Sequence, residues 1–451
     1  MTMLSPKDFG LVGMITVVTG FISALGNTGL GSSLIFKKKL EEIDISTVFV
    51  FNLFLGGVFS VLTFLLAKPI AYFYEDDALI SLTRLVSILF IINSSGFAAT
   101  ALMRKELRFK QTFIMSVVSS SIGAIVALSL AYMSFGPYSL IWQLITVGLV
   151  SNFIALWFSG YGMKFKYSKL IFKEHMGYGL PLLGNSIFNY WSKNSDNLII
   201  GKFLGSDALG LYSRSYTFMM LPARRVTVAL TGVLFPTLVK IKESKEILVE
   251  KFSQFNALVA LVITPIMAIL VAIAYPLVNT LMGFEWIEMC KSFQILCVAG
   301  WMMSASMVSS KMFLVLGITK KLFRLTVFTG VLAIGGFIIG SQHSIEMVAF
   351  IYVLVTIITL SVTYYILAAE LETSYWIAIK ELATYFILFL ILASLGLFIV
   401  NFVEVSAVLH LTLAPLSLSL VYSGLIYLFK AQDFNLGKRL FYRYVLKRDI
   451  K

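Results

Sequence analysis

Long runs of apolar residues, each followed by a short polar or charged segment, fill most of this 451-residue chain. A helix needs about 20 mostly apolar residues to cross a bilayer, and thirteen stretches meet or approach that length. None shows the period-2 alternation of an outer-membrane barrel strand. The pattern therefore predicts an all-α polytopic membrane protein with about 13 transmembrane helices. The stretches are 9–35, 45–72, 85–103, 112–133, 138–161, 176–204, 209–239, 255–282, 293–316, 325–340, 347–369, 382–403 and 408–429.

The composition excludes most other classes of protein. The chain is 59% hydrophobic and 13% charged, whereas soluble domains average roughly 45–50% apolar and about 25% charged residues. Disorder requires low hydrophobicity and high charge. Cys290 and Cys297 are the only cysteines, so the chain is not a disulfide scaffold.

The charges alternate from loop to loop. Twenty-six of the 36 basic residues lie in the loops after the odd-numbered stretches and in the tail 431–451 with Lys430, while the intervening loops are mainly acidic. This is the positive-inside pattern. It predicts a cytoplasmic C-terminus and, because thirteen is odd, an N-terminus outside. The net charge of +13 thus indicates orientation and not a nucleic-acid partner, and we expect the basic tail to be attracted to the anionic inner leaflet.

An internal repeat divides the chain. Residues 3–11 resemble residues 203–211, and residues 67–70 resemble residues 274–277, in the same order and at nearly the same offset. Repeated halves are typical of secondary transporters. We therefore expect an N-terminal lobe, a cytoplasmic linker, a C-terminal lobe, two additional helices and a basic tail. Their predicted boundaries are 1–161, 162–175, 176–370, 371–430 and 431–451.

The two repeats differ at their starts. A whole helix, 176–202, precedes the second repeat, and nothing equivalent precedes the first. We expect a fourteen-helix bundle that lacks its first helix, through a misplaced start codon or a truncation. The alternative is a protein that naturally has thirteen spans.

Six short motifs stand out along the first two thirds of the chain. They are LSPKDFGL at 4–11, TGLGSSLI at 28–35, KELRFK at 105–110, GLPLLG at 179–184, NSDNLIIGKFLG at 194–205 and ALGLYSR at 208–214. With these motifs the chain resembles the polysaccharide transporter family of Wzx-like flippases. The resemblance runs from residue 3 to about residue 330, and its most specific parts, the last three motifs, match the branch of the colanic acid exporter and the teichuronic acid translocase.

The resemblance implies the fourteen-helix fold of Wzx-type flippases, lipid II flippases and multidrug-and-toxin extruders. It also implies an activity: moving an undecaprenyl-diphosphate-linked oligosaccharide, of exopolysaccharide, capsule or O-antigen type, across the bacterial inner membrane by alternating access. The implied partners are this lipid-linked oligosaccharide, membrane lipid and the polysaccharide polymerase machinery. The chain departs from the family at its start.

Such transport calls for a polar, cationic cavity, because the sugars and the diphosphate need polar partners or water inside the membrane. Ionisable residues within apolar stretches are the candidates. Arginine suits a diphosphate because its planar donor fork binds two oxygens. The candidate substrate-binding residues are Asn189, Lys193, Asp196, Arg224, Arg225 and Lys311, with Ser186 and Asn197 on the face of the first three.

Each candidate also has a structural interpretation. Lys193 and Asp196, three residues apart, can neutralise each other on one helix. Arg224 and Arg225 point about 100° apart and cannot both face one cavity. Lys311 lies close enough to the predicted cytoplasmic end of its helix to extend into the interface.

We expect no enzyme, cofactor or metal site. The three histidines are scattered, and no G-x-x-x-x-G-K-[ST] motif is present to bind nucleotide phosphates. Whether Na⁺ or H⁺ drives transport stays open. The alternatives are an ion-coupled multidrug exporter of the same fold, an inactive truncated copy, and a polymerase or ligase of the pathway, which the short outer loops disfavour.

Overall fold

All regular secondary structure in the described part of the chain is helical. The computed structural model describes residues 3–26, 33–35, 37, 39–162, 164–403 and 405–429, without the side chains of residues 26, 174–189, 192 and 233–236. The helices are α1 Pro6–Gly26, α2 Glu42–Tyr74, α3 Ala78–Ser95, α4 Phe97–Lys105, α5 Phe109–Tyr132, α6 Pro137–Ser159, α7 Lys169–Lys240, α8 Lys245–Ala272, α9 Ala274–Leu281, a 3₁₀ turn Phe284–Trp286, α10 Met289–Val315, α11 Thr319–Gly340, α12 Ile345–Glu370, α13 Tyr375–Phe402 and α14 Ala407–Phe429. The chain forms two compact units, Met1–Gly210 and Leu211–Lys451.

In the first unit α2 packs mainly on α3 and α5 on α6, while α3 and α4 also contact α6. Polar contacts fix where α2 begins. The buried Asp44 carboxylate accepts a hydrogen bond from the backbone N–H of Glu41 at 2.9 Å and pairs with the Lys37 ammonium at 2.8 Å. An acid in the first turn satisfies exposed N–H groups and favours the helix dipole. The remaining length of α2 is therefore available to span the membrane.

The core of the second unit lies on α8 and α10. The most apolar windows of these helices are 61% and 67% buried, and they pack on α13 and α12 respectively as well as on each other. Between them the indole N–H of Trp301 donates to the Thr264 hydroxyl at 2.9 Å. Outward-facing apolar side chains such as Leu420 and Leu428 are exposed, as expected for surfaces in contact with lipid tails.

The membrane prediction is confirmed. Twelve described helices are long and apolar enough to cross a membrane, and one of them, Lys193–Lys240 within α7, has 48 residues. At about 1.5 Å per residue it measures about 72 Å, more than twice the roughly 30 Å hydrocarbon core. It is broken at Gly205, which has φ 84° and ψ −176°. The expected stretches 176–204 and 209–239 therefore meet within α7 at this break.

Two other expected stretches consist of two helices each. Stretch 85–103 is formed by α3 and α4, which meet at Gly96, and stretch 255–282 by α8 and α9, which meet at Ile273. Hydropathy averages over about 20 residues and does not register a change of direction that leaves the composition apolar. Residues 27–32 of the first stretch lie outside the described part of the chain.

Candidate functional site

A groove in the second unit lies between the second half of α7 and α10. It encloses about 510 Å³ and is lined by Thr227, Val228, Thr231, Gly232, Met307, Ser310 and Lys311. Residues three, four and seven apart share a helix face, so α7 presents both threonines to the same space. A Cβ added at Gly232 would meet nothing within 4 Å. The groove is therefore open beside this glycine.

The hydroxyls of the groove all donate within their own helices. Thr227 donates to the Ala223 carbonyl at 2.7 Å, Thr231 to the Thr227 carbonyl at 2.8 Å, and Ser310 to the Ser306 carbonyl at 2.8 Å. A hydroxyl that donates its proton still has lone pairs that can accept. The oxygens are thus suited to accept hydrogen bonds from the hydroxyls of a sugar.

The charged side chain among the described residues that line the groove is a lysine. Lys311 is exposed at the groove, and no acid occurs among the described residues that line it. An ammonium beside acceptor hydroxyls fits an anionic ligand that also carries alcohol groups. A cationic drug would instead meet a like charge here.

Arg224 continues the groove along α7. It precedes Thr227 by three residues and Thr231 by seven, which places it within about 60° of both around the helix axis. Arg225 is rotated by about 100° from Arg224. Both arginines are exposed. Arg225 has the same spacing to Val228 and Gly232, which also line the groove. The lining thus places Arg224 on the side of the groove's hydroxyls and Arg225 on the side of Val228 and Gly232.

The remaining candidates belong to the first unit. Lys193 is exposed and Asp196 is buried, and the Asp196 carboxylate accepts a hydrogen bond from the backbone N–H of Asn197 at 2.8 Å. The side chains of Asn189 and Ser186 lie outside the described part of the structure. A polar stripe on this part of α7 therefore stays a prediction.

Sequence reasoning missed Thr227, Thr231 and Ser310. The pattern that could have found the first two is the spacing of +3 and +7 from Arg224, which defines one helix face. Hydroxyl residues are common in transmembrane helices, where they donate to their own backbone. Only the packing of α10 against α7 separates these three from the other serines and threonines.

Comparisons with known proteins give a family and relatives. The profile of the family described as polysaccharide biosynthesis protein matches residues 2–291. ExoT of Rhizobium meliloti (strain 1021), a succinoglycan biosynthesis transport protein, is 29% identical over 285 residues, covering 63% of this chain and 57% of ExoT. WzxC of Escherichia coli (strain K12), a lipopolysaccharide biosynthesis protein, is 26% identical over 367 residues, covering 80% of this chain and 74% of WzxC. TuaB of Bacillus subtilis (strain 168), a teichuronic acid biosynthesis protein, is 26% identical over 290 residues, covering 62% and 59%. The matches thus span less than two thirds of ExoT and of TuaB.

Solved structures show the same fold. The inward closed conformation of the lipid II flippase MurJ matches with a TM-score of 0.70 at 14% identity, covering 94% of this chain and 93% of MurJ. An inward-facing multidrug resistance transporter of the MATE family matches with a TM-score of 0.65 at 18% identity, covering 82% and 92%. The chain has the fold that these transporters share.

Proposed function

Because the chain belongs to the polysaccharide biosynthesis protein family, we propose that it is a flippase for an undecaprenyl-diphosphate-linked oligosaccharide. It moves this lipid from the cytoplasmic to the periplasmic leaflet of the inner membrane by alternating access. The observation that carries the proposal is the groove between α7 and α10, which combines a cation with acceptor hydroxyls inside an apolar helical protein. The names of the relatives ExoT and WzxC support it.

Different residues at the groove bind different parts of the substrate. Arg224 binds the diphosphate through its donor fork, and Lys311 contributes a second positive charge. Thr227, Thr231 and Ser310 accept hydrogen bonds from sugar hydroxyls. The lipid tail stays in the bilayer, where it needs no polar partner.

We propose further that the basic loops and the C-terminus face the cytoplasm, and that the pathway's polymerase receives the flipped product. The alternating charges of the loops support this orientation. We assign the two lobes that move during alternating access to the two halves of the sequence repeat, 1–161 and 176–370.

Transport in a purified system tests the proposal. Proteoliposomes with the wild-type chain should expose a lipid-linked oligosaccharide, initially confined to the inner leaflet, to a glycosidase added outside. Empty liposomes and liposomes with a Lys311→Glu variant should not. Equal exposure in all three would refute flipping by this chain. Uptake of cationic drugs without any flipping would instead favour the multidrug exporter.

A further inference from the structure

The first residue of α2 forms ion pairs with the segment that follows α6. Helix α2 begins at Glu42, and α6 ends at Ser159. The Glu42 carboxylate pairs with the ammonium of Lys164 at 2.6 Å and with that of Lys166 at 3.4 Å. Glu42 and Lys164 are 122 residues apart in the chain. The pairs thus join distant parts of the first unit.

Other contacts hold the same segment against α2. The backbone N–H of Ser168 donates to the Thr47 hydroxyl at 3.1 Å. The centroid of the Phe49 ring lies 6.1 Å from that of Tyr161 and 5.6 Å from that of Phe165. Tyr161, Phe165 and Ser168 therefore lie along the first turns of α2, and the ion pairs at its first residue belong to a larger docked surface.

The second unit has an ion pair at the corresponding place. Helix α8 begins at Lys245, and α12 ends at Glu370. The Lys245 ammonium pairs at 2.5 Å with the carboxylate of Glu372, which follows α12. These two residues are 127 apart in the chain. In both units, therefore, the first residue of a helix binds the segment after a much later helix.

The sequence repeat makes the two places equivalent. It relates each apolar stretch to the sixth stretch after it, so 45–72 corresponds to 255–282 and 138–161 to 347–369. Helix α2 therefore corresponds to α8, and α6 to α12. Glu42 and Lys245 differ by 203 in number, which lies between the offsets of 200 and 207 at which the repeat aligns. Each of them is also the first residue of its helix.

The two pairs have opposite polarity. In the first unit the helix carries the acid and the later segment carries the base, whereas in the second unit the helix carries the base. An exchange of partners would place Glu42 beside Glu372, and Lys245 beside Lys164. Like charges brought together at an interface repel and so disfavour the wrong partner. Each helix start is therefore matched in charge to the segment of its own unit and mismatched to that of the other.

A choice between partners arises because the two units are repeats. Misassembly between domains is a characteristic failure of repeat proteins. The contacts in question join residues 122 and 127 apart, and such long-range contacts carry a large entropic cost before they form. Exposed ion pairs add little stability, and either polarity would add the same amount. Opposite polarity in the two units thus serves discrimination and is not needed for stability.

We propose that the opposite polarity of the two pairs directs each helix start to the segment of its own unit while the chain folds. The effect concerns assembly and is independent of the transported molecule, so it goes beyond the proposed flippase. Reversing every sign within one unit keeps that unit's own pairs attractive. It also gives both units the same polarity, which removes the discrimination.

Charge reversal within the first unit tests the proposal. The variant Glu42→Lys with Lys164→Glu and Lys166→Glu is synthesised in a cell-free reaction with liposomes, where no protease removes misfolded chains. The fraction that elutes as one monodisperse species after detergent extraction should fall at least about threefold, a change within the range of a few exposed ion pairs. An unchanged fraction would overturn the proposal, since pairs that only stabilise work in either polarity.

The matched control reverses the second unit as well. Adding Lys245→Glu and Glu372→Lys makes the two polarities opposite again, and the folded fraction should return to that of wild type. This control keeps the altered loop charges of the first unit, so a loss caused by a changed topology would persist in it. A fraction that stays low would overturn the proposal.

Crosslinking measures the choice of partner directly. In a chain with Cys290→Ala and Cys297→Ala, Thr47→Cys with Ser168→Cys reports pairing within the first unit, because these two residues are in contact. Thr47→Cys with Thr373→Cys reports the exchanged pairing. With a short bifunctional thiol reagent, the exchanged pair should crosslink at least about threefold more after reversal of the first unit alone than with wild-type charges. The additional reversal of the second unit should remove this excess. Equal crosslinking with all three sets of charges would overturn the proposal.

Discussion

Arg224 and Arg225 are neighbours in sequence but point about 100° apart around α7. Arg224 shares its face with Thr227 and Thr231, which line the groove. Hydrogen bonds to charged groups contribute about 1.5–3 kcal/mol, which is roughly 10- to 150-fold in affinity. We expect Arg224→Ala to reduce flipping by at least about tenfold, measured as initial rate in proteoliposomes. Arg225→Ala, the matched control, should stay within about threefold of wild type. A larger loss for Arg225→Ala than for Arg224→Ala would show that the groove is assigned to the wrong arginine.

The pair between Glu75 and Lys202 makes the outer end sensitive to acid. A hydrogen bond from Lys202, aided by its charge, lowers the pKa of the Glu75 carboxyl below its ordinary value of 4.5. A lowered folded-state pKa stabilises the protein above the ordinary value, and this contribution disappears as the pH falls through the lowered one. Lys202→Gln should therefore lower the Tm slightly at pH 7, by no more than about 2 °C for an exposed pair.

In acid the difference between this variant and wild type should become smaller, because Glu75 takes up a proton and the pair is lost. Thermal unfolding of the purified protein at pH 7 and at pH 3 measures both effects. The control is Lys291→Gln, since Lys291 is exposed at the start of α10 and should show no difference between the two pH values. A Tm difference for Lys202→Gln that is as large at pH 3 as at pH 7 would contradict the account.

At the scale of the helix, α7 depends on one residue for its break. Gly205 has φ 84° and ψ −176°, and a side chain in this region costs about 1–3 kcal/mol. We expect Gly205→Ala to lower the Tm by several degrees. Gly335→Ala in α11, where a Cβ would meet nothing within 4 Å, should leave the Tm unchanged or raise it, because alanine favours a helix. Equal Tm values for the two variants would mean that α7 does not require this break.

The helices could be predicted because each span needs a long apolar run that no soluble element needs. The breaks at Gly96 and Gly205 could not be predicted, since the backbone changes direction there while the residues around both glycines remain mostly apolar. The candidate site, too, could be predicted from the sequence only in part. Arg224 and Lys311 stand out as charges among apolar residues, whereas Thr227 and Ser310 become part of a site only when α10 packs beside α7.

For the whole molecule, the question is whether α7 crosses the membrane once or twice. Counted once, Lys193–Lys240 leaves twelve spans, and the basic loops that follow it would face outside, against the positive-inside pattern. Counted twice, α7 has 36 residues before Gly205 and 35 after it, each part longer than the about 20 residues that one crossing needs, and every basic loop stays inside. The break at Gly205 lies where the second interpretation needs a turn, beside the acidic Asp207.

Single cysteines on the two sides of this segment therefore decide the topology. In a chain with Cys290→Ala and Cys297→Ala, Asp207→Cys and Asp76→Cys should react with an impermeant maleimide in intact cells whose outer membrane, where present, is made permeable. Lys242→Cys and Lys320→Cys should react only after the cytoplasmic membrane is opened. Labelling of Lys242→Cys from outside would make α7 a single crossing. The orientation of all later loops would then invert, and Lys311 would lie near the periplasmic end, where a cytoplasmic substrate could not first meet it.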